Sequence, residues 1–118
     1  MSSIEVDLRA ALLASPTLVA LVSGRVCIDE VPEDAPRPYI VFAKQSGNVD
    51  RGLDGKVHHE TARIDIQCVG ESRSQGIQLA DLVREALEAV DQPPDDFAAG
   101  YDPENDIEAE VVSVDWWR

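Results

Sequence analysis

Cations are scarce in this chain, and in its last quarter they nearly vanish. Residues 91–115 carry nine carboxylates (Asp91, Asp95, Asp96, Asp102, Glu104, Asp106, Glu108, Glu110, Asp115) and no Lys or Arg. Residues 1–90 hold 14 acidic and 9 basic side chains and residues 91–118 hold 9 and 1, so nets of −5 and −8 make up the total of −13. Such a surface repels a phosphate backbone, which excludes a protein that grips nucleic acid. Cysteine is nearly absent too. Cys27 and Cys68 each sit among apolar, strand-like neighbours and read as reduced, buried small side chains. No C-x-x-C pair exists, and the adjacent His58 and His59 point to opposite faces of a strand, so no metal is expected. No apolar run approaches the roughly 20 residues that cross a bilayer. The opening Met1-Ser2-Ser3-Ile4-Glu5 lacks the basic and apolar regions of a secretion signal, so cytoplasmic folding is expected.

Catalytic signatures are missing as well. There is no glycine-rich phosphate loop, no G-x-S-x-G elbow and no H-E-x-x-H. Asp50 and Asp54 fail the spacing of a calcium loop, which leaves turn chemistry. Carboxylate pairs such as Asp95-Asp96 or Glu108 and Glu110 arise by chance where acids are this dense. The residues alone support no enzyme and no cofactor.

What is present is the pattern of one α+β domain spanning residues 1–118, at 44% apolar and 28% charged. Ser2-x-x-Glu5 fits a capping box before Ile4, Leu8, Ala11 and Leu12 at helical spacing. Ser15-Pro16 restarts the helix, and Gly24 is placed to close it in a left-handed conformation. Arg25-Val-Cys-Ile-Asp29 reads as a short strand. The three prolines of residues 31–38 make a stiff connection into a second strand, Tyr39-Ile-Val-Phe-Ala-Lys44. Residues 47–55, rich in Gly and Asp/Asn, read as a mobile hairpin loop. In residues 61–68, Ala62, Ile64, Ile66 and Cys68 alternate with Thr61, Arg63, Asp65 and Gln67, a strand that pairs antiparallel with the second.

Ser72 or Ser74 caps a further helix to about Val90, with Ile77, Ala80, Val83, Leu87 and Val90 as its apolar stripe and Pro93-Pro94 as its stop. A short strand at Phe97-Ala98-Ala99 and a closing strand over residues 107–116 follow. Trp116 and Trp117 point to opposite faces, one to the core, the other exposed or covered by a partner. The expected architecture is a mixed or antiparallel sheet of about four or five strands, with two main helices packed on one face.

Ser15-Pro-Thr-Leu-Val-Ala-Leu-Val-Ser-Gly-Arg-Val26, the proline-rich turn into Pro38-Tyr-Ile-Val41, the strand Ala62-Arg-Ile-Asp-Ile-Gln-Cys68 and the helix Gly76-Ile-Gln-Leu-Ala-Asp-Leu-Val-Arg-Glu-Ala-Leu87 together resemble the tail-completion (tail terminator) proteins of long-tailed phages. The acidic connection over residues 91–106 departs from that pattern. The resemblance implies a structural virion protein: a homo-oligomeric ring, usually a hexamer, that caps the tail tube and joins it to the head connector or stopper protein. It implies a place in the virion tail after assembly in the host cytoplasm, with no membrane partner. An acidic lumen would let DNA slide through without binding. Asn48, Asp50, Arg51, Asp54 and Lys56, in and beside the glycine-rich loop, and Trp117 are the expected contacts with a neighbouring subunit or the tube. The other reading that the charge motivates is an acidic DNA mimic that blocks a nucleic-acid-binding protein. Its weakness is that the acid is concentrated after residue 90 rather than spread over the surface.

Overall fold

The alternation of residues 61–68 becomes the spine of the molecule. In the computed structural model, which describes residues 4–30, 36–51, 57–102 and 107–117, that segment lies in the middle strand of a five-stranded sheet. Among the described residues the order is α1 (Ile4–Leu13), α2 (Pro16–Val22), β1 (Val26–Ile28), β2 (Tyr39–Arg51), β3 (Val57–Val69), α3 (Arg73–Ala89), β4 (Asp96–Asp102) and β5 (Ile107–Trp117). The sheet runs β1-β2-β3-β5-β4, with β1 parallel to β2 and every other pair antiparallel. The class is α+β, and the short strand around Phe97 is a full edge strand.

Period-two alternation puts Ala62, Ile64, Ile66 and Cys68 on one face, beside Ile40 and Phe42 of β2 and Val112, Val114 and Trp116 of β5. All of these are buried, and they form one cluster with Ile4, Leu8 and Leu12 of α1, Leu18 and Val22 of α2, and Leu79, Val83 and Leu87 of α3. The register aligns one wholly apolar row across all five strands: Ile28, Phe42, Ile66, Val112, Phe97. Its three inner members are at most 1% exposed, but Ile28 and Phe97 at its ends are 37% and 48% exposed.

The helix ends follow local chemistry. Ser15 accepts from the Leu18 N–H at 3.4 Å, with Pro16 at the first helical position. The left-handed closure of α2 begins one residue before Gly24: Ser23 has φ 51° and Gly24 φ 75°. The capping box expected at Ser2 lies outside the described residues. Ser72, not Ser74, caps α3 by accepting from the Gln75 N–H at 3.2 Å, while the Gln75 side chain accepts from the Glu71 N–H at 2.6 Å. At its other end the Gln92 N–H donates to Leu87 and the Asp91 N–H to Glu88, with Asp91 at φ 63°, a Schellman closure in which aspartate takes the usual glycine position. The buried stripe of α3 is Gly76, Leu79, Ala80, Val83, Ala86 and Leu87. Ile77 and Val90, expected inside it, are 44% and 42% exposed, because the stripe is centred nearer Leu79 and Val83.

One expectation is corrected. The hairpin loop read over residues 47–55 is strand as far as Arg51: Gly47, Asn48, Val49 and Asp50 pair with Ala62, Thr61, Glu60 and His59. The glycine and Asp/Asn content suggested a turn, but pairing to the full length of β3 outweighs local propensity. Irregularities at Lys44/Ser46 and Asp50/Arg51 absorb the misfit. Residues 52–56 lie outside the described residues.

Candidate assembly interface

β2 and β3 outrun their neighbours. β1 pairs with β2 only as far as Phe42, and β5 pairs with β3 only from Thr61 onward, so the two strands continue beyond the layered body as a two-stranded arm. At the opposite end, Ile107 and Glu108 of β5 pair with Asp102 and Tyr101 of β4 beyond the last β3 partner, Val69. Some fifteen strand positions at about 3.3 Å each give about 50 Å, which matches the 50 Å long axis.

Of the residues expected to make contacts, Asn48, Asp50 and Arg51 lie on the arm, opposite Thr61, His59 and Val57. Trp117 pairs with Thr61 from the other side, so Asn48, Thr61 and Trp117 share a row at the root of the arm. Asp54 and Lys56 lie outside the described residues. Trp116 is buried and Trp117 is 57% exposed, the division that alternation required. The Trp117 backbone is held on the α3 side by Gln92, whose amide donates to the Trp117 carbonyl at 2.6 Å and accepts from its N–H at 3.3 Å. Gln92 is itself buried. Its side chain supplies the hydrogen bonds that a neighbouring strand would give, just where β4 falls short.

The sheet face away from the helices mixes small apolar and polar side chains. The buried Ser113 donates to Asp65 at 2.7 Å, and Tyr39, Val41, Gln45, Gln67 and Val111 help line a shallow depression of about 360 Å³ beside them. Arg63 forks between two carboxylates of the acidic segment, at 2.6 Å from Asp95 and 3.2 Å from Asp115. The hydrogen bond from Arg63 holds the Asp95 carboxyl below the usual carboxylate range, and the bond to Asp95 in turn raises the guanidinium. Two of the nine clustered acids are thus internally paired rather than free. The sequence carried a signal for this cluster in Arg63, the one Lys or Arg of its strand, but its partners needed the β3–β5 register.

Burial pushes the Cys68 thiol up, and both cysteines are free. Among the described residues no group of three His, Cys, Asp or Glu is placed to hold a metal, and no helix is long and apolar enough to cross a membrane. What the geometry offers is edges. Among the described residues β4 has no partner on its outer side, and its exposed stretch Phe97-Ala98-Ala99 carries no charge.

Comparison with known proteins places this geometry. The family described as tail completion protein gp17 matches residues 6–117. No curated protein matches the chain. Among solved structures, a chain of the virion of a native gene transfer agent particle is similar with a TM-score of 0.69 and 16% identity, covering 92% of this chain and 88% of that one. The bacteriophage SPP1 gp17 protein is similar with a TM-score of 0.53 and 16% identity, over 95% and 86%. At that identity the likeness is one of fold.

Proposed function

The chain belongs to the tail completion protein gp17 family, and from that premise we propose that it works as a ring of identical subunits, six in number, that caps the finished tail tube and joins it to the head connector. The coarser role, a structural protein of phage tail completion, comes with the family. The observation that carries the finer one is the pairing of a family match over nearly the whole chain with a sheet whose β4 edge and projecting arm have no further strand beside them among the described residues. A closed ring is built from a head-to-tail contact between two different surfaces of one subunit, and the β4 edge and the arm are two unlike surfaces. The arm, with Asn48, Asp50 and Arg51, and the exposed Trp117 at its root supply contacts to the tube or the next subunit. The acidic segment faces passing DNA without holding it, since like charges oppose a lasting contact.

No catalytic step belongs to this reading. Subunits assemble in the host cytoplasm and end in the virion tail. Electron microscopy of the purified protein, alone and mixed with tail tubes, tests it: rings or capped tube ends are expected. A monomer indifferent to tubes at all concentrations overturns it. Replacing residues 47–60 by a two-residue turn is expected to leave the layered body folded and abolish joining, whereas joining that survives removes the arm from the interface.

A further inference from the structure

We infer that the sheet face left uncovered by the helices docks a basic surface of a different protein, with Trp117 as the anchor. This rests on the joining role proposed above and gives that role a face and a chemistry. Register sets the layout. Cys27, Val41, Gln67, Val111 and Ala98 make one uncharged row across all five strands, on the side of the sheet opposite the core. Gln67 and Ala98 are exposed and the other three half-buried. Toward the arm, the next row on that side holds Ala43, Asp65, Ser113 and Asp96, with Asp29 on the rim of the depression beside it. Arg63 and Asp115 follow, then Thr61 and the exposed Trp117. An uncharged strip, polar groups around it and a free-standing aromatic side chain are the make-up of a protein–protein contact. Gln92 holds both backbone groups of Trp117, so the indole stands on a fixed base.

Charge says what kind of partner fits. Asp29, Asp65, Asp95, Asp96 and Asp115 belong to this face. Against them stand Arg63, already forked between Asp95 and Asp115, and Arg25 at the far corner, whose Nε donates to the Pro38 carbonyl at 3.1 Å. A surface with that excess of carboxylates draws in a cationic one. A second copy does not supply it. Among the described elements β2 alone has more cations than acids, Lys44 and Arg51 against Asp50, and Lys44 is already bound to Glu5 at 3.4 Å. Two of these faces set together would oppose carboxylate to carboxylate, and DNA is repelled by the same charges. The occupant is therefore a basic surface on another protein. Three of the nine clustered acids, Asp95, Asp96 and Asp115, then face that protein rather than DNA.

Size ties the face to the ring. From Gln67 to Thr61 is about 20 Å along the strand and five strands span about 24 Å, so the face offers at most about 500 Å². A stable contact takes about 800 Å² from each partner. One subunit alone binds weakly, and copies held together in a ring bind as a set.

Two double variants with the same kinds of exchange separate the face from net charge. Gln67→Lys with Asp96→Lys acts at exposed positions of this face, and Gln78→Lys with Glu85→Lys at exposed positions of α3, on the other layer. Trp117→Ala removes the anchor. Each variant is checked for folding by circular dichroism and for ring assembly by sedimentation, then offered to isolated tail tubes and to isolated head connectors. The face variant and Trp117→Ala are expected to assemble at least as well as the wild type and to bind tubes or connectors about tenfold or more weakly; which of the two is lost names the partner. The α3 variant is expected to bind both as the wild type does. Unaltered binding of the face variant to both overturns the assignment. So does an equal loss in the α3 variant, which would make net charge the cause. Failure of the face variant to assemble gives the face to a contact between copies and overturns it too. Wild-type protein that joins neither tubes nor connectors refutes the joining role itself, a result that no variant is needed to read.

Discussion

Gly70 and Gly76 show how closely single positions are constrained. A Cβ on Gly70 would meet the Gly76 backbone nitrogen at 2.6 Å and Gln75 at 2.9 Å, at the tight passage from β3 into α3. Backbone cannot step aside cheaply, so Gly70→Ala is expected to destabilise by about 1–3 kcal/mol. Gly76 lies inside α3, where a Cβ would meet Cys68 oxygen at 3.5 Å and Glu110 Cγ at 3.8 Å, ordinary contacts. Gly76→Ala should therefore gain about 0.5–1 kcal/mol from reduced chain entropy. Urea unfolding of both variants checks the opposed signs. The sequence showed that Gly70 ends a strand, but not that α3 passes against it, because that approach is tertiary. Asp95 gives a pH-dependent test at the same scale. Its folded pKa is depressed by the Arg63 hydrogen bond, so the stability it contributes is present above its unfolded value, about 3.9, and is lost as pH falls through the folded value. Both partners are partly exposed, so the amount is about 0.5 kcal/mol. Arg63→Met should remove that part of the acid limb of stability measured between about pH 5 and pH 2.

Elements were legible where one face is buried and illegible where it is not. The helix α3 and the strand β3 announced themselves by period, and the serine caps and Pro93-Pro94 bracketed them. The arm did not, since beyond Thr61 its strands lie outside the layered body and the Gly and Asp/Asn of its β2 side mimic a turn. The closure of α3 was visible as a stop but not as a device. Its Schellman turn delivers Gln92 to the end of β5, where the amide takes both backbone groups of Trp117. Gln92→Ala is expected to cost about 1–2 kcal/mol and to speed amide exchange at Trp117 while leaving exchange at Val112 and Val114, in the middle of β5, unchanged. Equal protection at Trp117 in the variant would show that α3 does not hold the end of the last strand. In the proposed ring the clasp matters because Trp117 stands at the root of the arm, in one row with Asn48 and Thr61, so a frayed end would disorder that row.

At the scale of the molecule, charge and shape act against each other. The sequence showed a net charge of −13 gathered toward one end, and the fold turns that gradient into a difference between two sheet edges. A sheet of about five strands with helices on one face was readable as a class from the order of elements. That Ile28 and Phe97 end one row was not, because row membership depends on four pairings at once. In the proposed ring, association of identical copies must overcome repulsion between like net charges. Salt should therefore favour it. The screening length falls from about 10 Å at 0.1 M to about 3 Å at 1 M, which damps the repulsion between copies and leaves short-ranged apolar contacts untouched. Sedimentation between about 0.05 and 0.5 M NaCl is expected to show self-association strengthening by about tenfold. A decoy that binds a basic partner through this same acid would show the reverse, with its complexes dissolving over that range. Self-association that weakens with salt would mean that ion pairs between copies, rather than apolar contacts, hold them together.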